Sequence, residues 1–205
     1  MPASAERVAA VVLAAGESRR LAPQKLLLPF GEATVIGSVV GALEEAGLDP
    51  ILVVAGGQET EIREALRGRR AQVVRNPDPA RGMLSSLRVG LEALTEEVGR
   101  FVIALGDQPR LRGKHVRRLL DEQTRRGKGI AIACYGGKRG HPVVFAARYR
   151  EEILALGDNQ TLRDLIHGKM SDVAEVECDS DAVIRDVDTR EDYEAELQRR
   201  EADEG

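Results

Sequence analysis

Short apolar runs alternate along this chain with stretches whose apolar residues recur every three or four positions. Ala9 to Ala14, Ile51 to Ala55, Gln72 to Val74 and Phe101 to Leu105 are continuous enough to predict parallel strands buried on both faces, with helices between them. The segment Val35 to Leu48 reads as one such helix, ended by Gly47 and Asp49-Pro50. A second begins near Met83 and presents Leu84, Leu87, Leu91, Leu94 and Val98 on one face, leaving Arg88, Glu92 and Glu96 to solvent. A third, Leu111 to Arg126, has a basic outer face and Gly127 just past its end. The rhythm then changes. Ile130 to Tyr135 and Val143 to Ala146 predict two strands joined through the glycine-rich run Gly136 to Gly140 and His141-Pro142, an antiparallel element grafted on the parallel sheet. Helical patterns at Arg148 to Leu156 and Thr161 to His167 follow, then strands at Val173 to Val176 and Val183 to Asp186, and a charged helix from Arg190 whose last residues, Arg199 to Gly205, lack an apolar stripe and are expected to fray. This order predicts an α/β fold, a Rossmann-like three-layer α/β/α sandwich in one domain over residues 1–205, its core at about residues 7–197.

Composition narrows the class. A chain of 205 residues, 42% apolar, suffices for one core of useful size. Its net charge of −4 and 3% aromatic content remove the basic surface and stacking platforms expected of a nucleic-acid binder. Cys134 and Cys178 stand far apart and outside any metal-ligand spacing, as reduced core thiols would. The run Val8 to Ala15 is too short to span a bilayer and lacks a basic leader before it, so the sequence predicts no membrane association and a cytoplasmic location.

The candidate chemistry begins where the first strand ends. Leu13 to Lys25 reads L-A-A-G-E-S-R-R-L-A-P-Q-K, a loop in which Gly16 allows a close backbone approach and Arg20 and Lys25 can close over polyanionic oxygens. With one glycine in the turn it is neither a dinucleotide fingerprint nor a P-loop. Asp107 follows the strand Phe101 to Leu105 through Gly106, which puts its carboxylate at the edge where open α/β sheets bind ligands, or makes it the cap of the turn before Pro109. Asp188, with Asp186 two residues before it on the same face if the strand continues, is the candidate second carboxylate; alternatively Asp188 or Thr189 caps the helix that follows. Gly82 to Ser86 opens a helix and offers backbone N–H groups and hydroxyls at its positive end, or simply caps it. His141, beside Lys138 and Arg139 in a predicted loop, can contact a phosphate or a ring, whereas His115 and His167 lie in helical patterns and receive no role.

These segments, in this order, resemble the MobA-like nucleotidyltransferases, which activate phosphorylated small molecules with an NTP. The resemblance is carried by Leu13 to Pro29, Asn76-Pro77 with Gly82 to Leu87, Gly106-Asp107-Gln108-Pro109, Gly140 to Phe145 and Asp186-Val187-Asp188-Thr189, and spans roughly Val8 to Tyr193. Within that family the chain is most similar to the molybdenum cofactor cytidylyltransferases. Leu21-Ala22 stands where the family has Met-Gly, and Asn159-Gln160-Thr161 departs from a G-D-x-G-x-R segment, a change that bears on acceptor recognition.

The resemblance implies transfer of CMP from CTP to the phosphate of a molybdopterin-type cofactor with release of pyrophosphate. It implies Mg²⁺ held by Asp107 and Asp188, catalysis by Arg20, Lys25 and Asp107, and nucleotide contacts from Leu13, Ala14, Ala15, Gly16, Lys25, Gly82, Ser85, Ser86 and Asp107. Gln108, His141 and Pro142 would face the acceptor, and a molybdenum hydroxylase would be a client. Ala14-Ala15, where guanylyltransferase relatives tend toward Ala-Gly-Gly, favours a pyrimidine. In-line phosphoryl chemistry needs no covalent nucleophile, because alignment and charge neutralisation supply the rate. Other readings keep part of this pattern: a different phosphorylated acceptor, a glycosyltransferase using Asp186-Val187-Asp188 as its D-x-D, a nicotinamide-dependent oxidoreductase, or a non-catalytic cofactor chaperone.

Overall fold

The computed structural model describes residues 7–16, 24–94 and 98–204. Arg20, with its neighbours at positions 17–23, and Glu96 therefore lie outside the described residues. In chain order the strands are β1 (Arg7–Ala14), β2 (Pro29–Phe30), β3 (Ala33–Thr34), β4 (Ile51–Ala55), β5 (Ala71–Arg75), β6 (Val98–Leu105), β7 (Ile130–Tyr135), β8 (Lys138–Ala146) and β9 (Val173–Glu177). The helices are α1 (Val35–Glu45), α2 (Glu59–Ala65), α3 (Met83–Glu92), α4 (Gly113–Arg125), α5 (Arg150–Leu154), α6 (Leu162–Gly168) and α7 (Arg190–Glu204).

Seven strands form one sheet in the order β5-β4-β1-β6-β8-β7-β9, and β2 and β3 form a separate small hairpin. Strands β5, β4, β1 and β6 run parallel, β8 is antiparallel to both β6 and β7, and β7 pairs with β9 in parallel. The expected α/β class with an antiparallel element is what the chain adopts.

The apolar runs are continuous because both faces of the sheet are covered. On β1, Ala10, Val12 and Ala14 point into a core shared with Ile36, Val39 and Leu43 of α1 and Val116 and Leu119 of α4. Their neighbours Ala9 and Val11 point the other way, toward Leu87 and Leu91 of α3 and Ile153 of α5. Helix α3 lies so close to the sheet that a Cβ on Gly90 would sit 2.4 Å from Val11 Cγ1 and 3.0 Å from Val54 Cγ2. Gly90→Ala is expected to lower unfolding stability by about 1–3 kcal/mol through overpacking. A urea-unfolding midpoint equal to the wild type would show that the helix can back away at no cost.

Several elements differ from the sequence reading. Helix α3 ends at Glu92, so Val98 belongs to β6, and the helix read as Leu111 to Arg126 starts at Gly113. The connection between β7 and β8 is a tight turn at Gly136 and Gly137, with φ of 55° and 75°, and Tyr135 pairs with Lys138. His141 is thus a strand residue, not a loop residue. The predicted strand Val183 to Asp186 does not form: Asp181–Ile184 is a 3₁₀ turn, started by Ser180, whose Oγ accepts from Ala182 N at 3.2 Å. That turn presses on β8 where a Cβ on Gly140 would meet Val183 O at 1.9 Å, and it buries Val183 completely. Helix α7 continues to Glu204, past Arg199 where the apolar stripe is lost. Among the described residues no helix is long and apolar enough to cross a membrane.

Candidate active site at the ends of β1 and β6

Chain order reverses across the sheet between β1 and β6, since β1 leads outward to β4 on one side while β6 opens the other half. Such a switch point leaves a crevice beyond the carboxyl ends of the two strands. Ala14, Ala15 and Gly16 leave β1 at this edge, and Gly106 and Asp107 leave β6 beside them. Gly106 N donates to Leu13 O at 3.0 Å, and a Cβ at Gly106 would be 2.9 Å from Ile36 Cδ1, so the close approach of the two strand ends requires glycine. Ala14 and Ala15 are buried, Leu13 is half-buried and Gly16 is exposed.

Lys25 opens a short 3₁₀ turn, Lys25–Leu27, and points inward. Its Nζ donates to Asp107 Oδ2 at 2.7 Å and to Asp188 Oδ1 at 2.9 Å, with only 10% of its side chain exposed. Burial pulls the ammonium toward its neutral form, but Asp107 and Asp188 outweigh this and hold the Lys25 pKa above its ordinary value.

The carboxylates reach this point from opposite ends of the chain. Val187 N donates to Asp107 O at 2.9 Å, which pins the C-terminal segment to the loop after β6. Thr189 and Asp192 form a reciprocal cap on α7: Asp192 N donates to Thr189 Oγ1 at 3.1 Å, and Thr189 N donates to Asp192 Oδ2 at 2.9 Å. Thr189 therefore serves as the helix cap, which leaves the Asp188 carboxylate for Lys25. Asp186 joins the group: one oxygen from each of Asp107, Asp186 and Asp188 lies within 4.8 Å of the others. Burial first, then the charges of Asp107 and Asp188, push the Asp186 pKa up. Three hard oxygen donors and no sulfur or imidazole among them match a divalent cation of the Mg²⁺ or Mn²⁺ class.

A second group sits at the start of α3. Gly82, at φ 89° and ψ −178°, holds a backbone conformation open mainly to glycine and leaves the helix without a side-chain cap. Asn76, the residue after β5, is buried and donates through Nδ2 to Ser85 Oγ and Ser86 Oγ, both at 2.9 Å. Its Oδ1 accepts from Asp78 N at 3.0 Å. Asn76 thus fixes both serines and the loop before them. Asn76→Ala is expected to cost about 1–3 kcal/mol, because Ser86 Oγ is buried and loses this partner. Thermal unfolding measures it, and an unchanged midpoint would mean that water replaces the amide.

The residues expected to face an acceptor are less exposed than the sequence implied. Gln108 is 3% exposed, and its Oε1 accepts no hydrogen bond among the described residues. Pro142 is buried and His141 half-buried. Desolvation drives the His141 pKa down to about 4 against the opposing pull of Asp107, so at neutral pH the ring is uncharged. Sequence reasoning placed Lys25, Asp107 and Asp188 at one rim, and the structure brings them together. It missed the part played by Asn76, although Asn76-Pro77 directly after an apolar run marks a strand end.

The family model for the MobA-like NTP transferase domain matches residues 10–175, a stretch that includes Lys25 and Asp107 and ends before Asp186. The molybdenum cofactor cytidylyltransferase of Escherichia coli (strain K12) is 25% identical over 185 residues, covering 89% of this chain and 92% of that protein. The probable molybdenum cofactor guanylyltransferase of Mycobacterium avium (strain 104) is 28% identical over 207 residues, covering 97% and 99%. Among solved structures, Rv0371c from Mycobacterium tuberculosis H37Rv superposes with a TM-score of 0.81 at 30% identity, over 95% of this chain and 100% of that one. Its complex with manganese gives 0.74 at 31% identity, over 94% and 98%. On the family match and this shared architecture, the chain belongs to the MobA-like NTP transferase family and is a nucleotidyltransferase.

Proposed function

We propose that this chain transfers CMP from CTP to the phosphate of a molybdopterin-type cofactor, with Mg²⁺ as its metal. The observation that carries the reading is the convergence of Lys25, Asp107, Asp186 and Asp188 at the switch point of the sheet. A phosphate oxygen of the acceptor attacks the α-phosphorus, the bond from that phosphorus to the bridging oxygen breaks, and pyrophosphate leaves. Held by Asp107, Asp186 and Asp188, a divalent cation would neutralise charge on the triphosphate. Lys25 supplies a further positive charge, and Arg20, by resemblance, closes over the same oxygens. The first N–H groups of α3 and the loop fixed by Asn76 offer donors to the nucleoside. His141 is uncharged near pH 7 and is not needed as a base, because a phosphate monoester is already ionised there.

CTP is favoured by Ala15, which stands where guanylyltransferase relatives tend toward glycine, and by the similarity to the cytidylyltransferase of E. coli. Pyrophosphate release should therefore require both CTP and molybdopterin, and be at least about tenfold slower with GTP, ATP or UTP, a margin of about 1.4 kcal/mol. Equal rates with GTP would overturn the base assignment, and release without acceptor would overturn the reaction.

A second acceptor has one observation in its favour. The loop that departs from the family pattern is tied down by Asp158, whose Oδ1 accepts from Arg81 at 2.8 Å and lies 3.5 Å from Arg88. A loop rebuilt in this way suits a different phosphorylated metabolite, and turnover with a sugar 1-phosphate but not with molybdopterin would establish that reading.

A further inference from the structure

Three carboxylates converge closely enough to hold one cation, and two of them are already paired with one ammonium. Lys25 Nζ already lies 2.7 Å from Asp107 and 2.9 Å from Asp188, and the oxygens of the three aspartates lie within 4.8 Å of one another. A divalent cation of the Mg²⁺ class binds carboxylate oxygen at about 2.0–2.1 Å, closer than the ammonium can come. Two cations drawing on the same pair of carboxylates repel each other, and the repulsion grows as their separation falls.

The geometry points to Lys25 as a resident counter-ion that exchanges with the metal: it holds Asp107 and Asp188 together before loading, and metal entry releases its amine. Because this rests on the metal-dependent transfer proposed above, it gives that reaction an order. The amine is held in a pair, 10% exposed, until the cation is in place, and only then is it free for the triphosphate. The pairing also lets Lys25 offset part of the mutual repulsion of the three acidic groups.

Two measurements test the exchange, neither of them turnover. Titration of nucleotide-free protein with Mn²⁺, followed by electron paramagnetic resonance, should show about tenfold tighter binding in Lys25→Met than in wild type, because the competing charge is gone. Binding no tighter than wild type would overturn the exchange while leaving the metal site intact. Absence of Mn²⁺ binding in wild type would instead remove the metal-dependent reading and the exchange with it. Should Lys25→Met fail to fold by circular dichroism, acetylation of wild-type amines read by mass spectrometry decides the matter. Labelling of Lys25 relative to exposed Lys138 should rise at least about fivefold when Mg²⁺ replaces a chelator, as the amine leaves its pair. Labelling of Lys25 that Mg²⁺ does not change would refute the exchange.

Discussion

Asp107→Asn should lower the rate of pyrophosphate release by about 10³-fold or more while leaving a folded protein. The substitution keeps the size of the side chain and its ability to accept a hydrogen bond from Lys25. It removes one of the three negative charges that converge at the rim and halves the charge pairing of a lysine that is 10% exposed. The loss in stability should stay near 1–2 kcal/mol, a drop of about 2–8 °C in the unfolding midpoint for a domain of this length. Asp188→Asn separates the two effects further. Its side chain is 57% exposed, so its ion pair adds at most about 1 kcal/mol to stability, yet turnover should fall about 10²-fold. Activity within tenfold of wild type in Asp107→Asn would contradict the assignment of this rim as the catalytic site.

The largest loss of stability is expected at Arg110, in the loop that follows β6. Its guanidinium is 3% exposed; Nε donates to Glu196 Oε2 at 2.8 Å, and Nη2 donates to Asp181. Burial acts to lower the Arg110 pKa, and Glu196 and Asp181 outweigh it, so the net shift is upward. Glu196, 1% exposed, also accepts from Arg199 at 2.7 Å, which makes this network the strap between α7 and the loop that carries Asp107. Arg110→Met leaves a buried carboxylate without its main partner. The cost should be about 3–5 kcal/mol, or about 6–20 °C in the midpoint of thermal unfolding. Arg110→Met combined with Glu196→Leu should recover much of that loss, because an apolar pair needs no counter-charge. A midpoint for Arg110→Met within 2 °C of wild type, an allowance of about 1 kcal/mol, would show that the network adds nothing. Because α7 starts two residues after Asp188, a loosened strap should also slow turnover.

The parallel half of the sheet was legible because its strands are buried on both faces, which writes them as unbroken apolar runs such as Ile51 to Ala55. The second half was harder. The first residues of β8, Lys138 to His141, are polar because this end of the strand is exposed or half-buried, so they read as loop. Val183 to Val187 carries Val183, Ile184 and Val187, the β-branched residues that strands favour. That edge of the sheet is already β9, and the Ser180 turn sends the chain across β8 instead. At the rim, Lys25, Asp107 and Asp188 were legible from strand ends and motif order together. The inclusion of Asp186 was not, because its direction depends on how the backbone leaves the 3₁₀ turn. The clamp by Asn76 was also hidden, since a sequence does not say which hydroxyls an amide will reach. Arg20 lies outside the described residues, and its role rests on the motif.

The most direct test of the central claim follows CTP labelled at the α-phosphate in the presence of Mg²⁺ and molybdopterin. Nucleotidyl transfer at this rim predicts label in the pterin product, equimolar unlabelled pyrophosphate, and neither from Asp107→Asn. Label that stays in free CTP or CMP, or a labelled product formed equally well by Asp107→Asn, would contradict it.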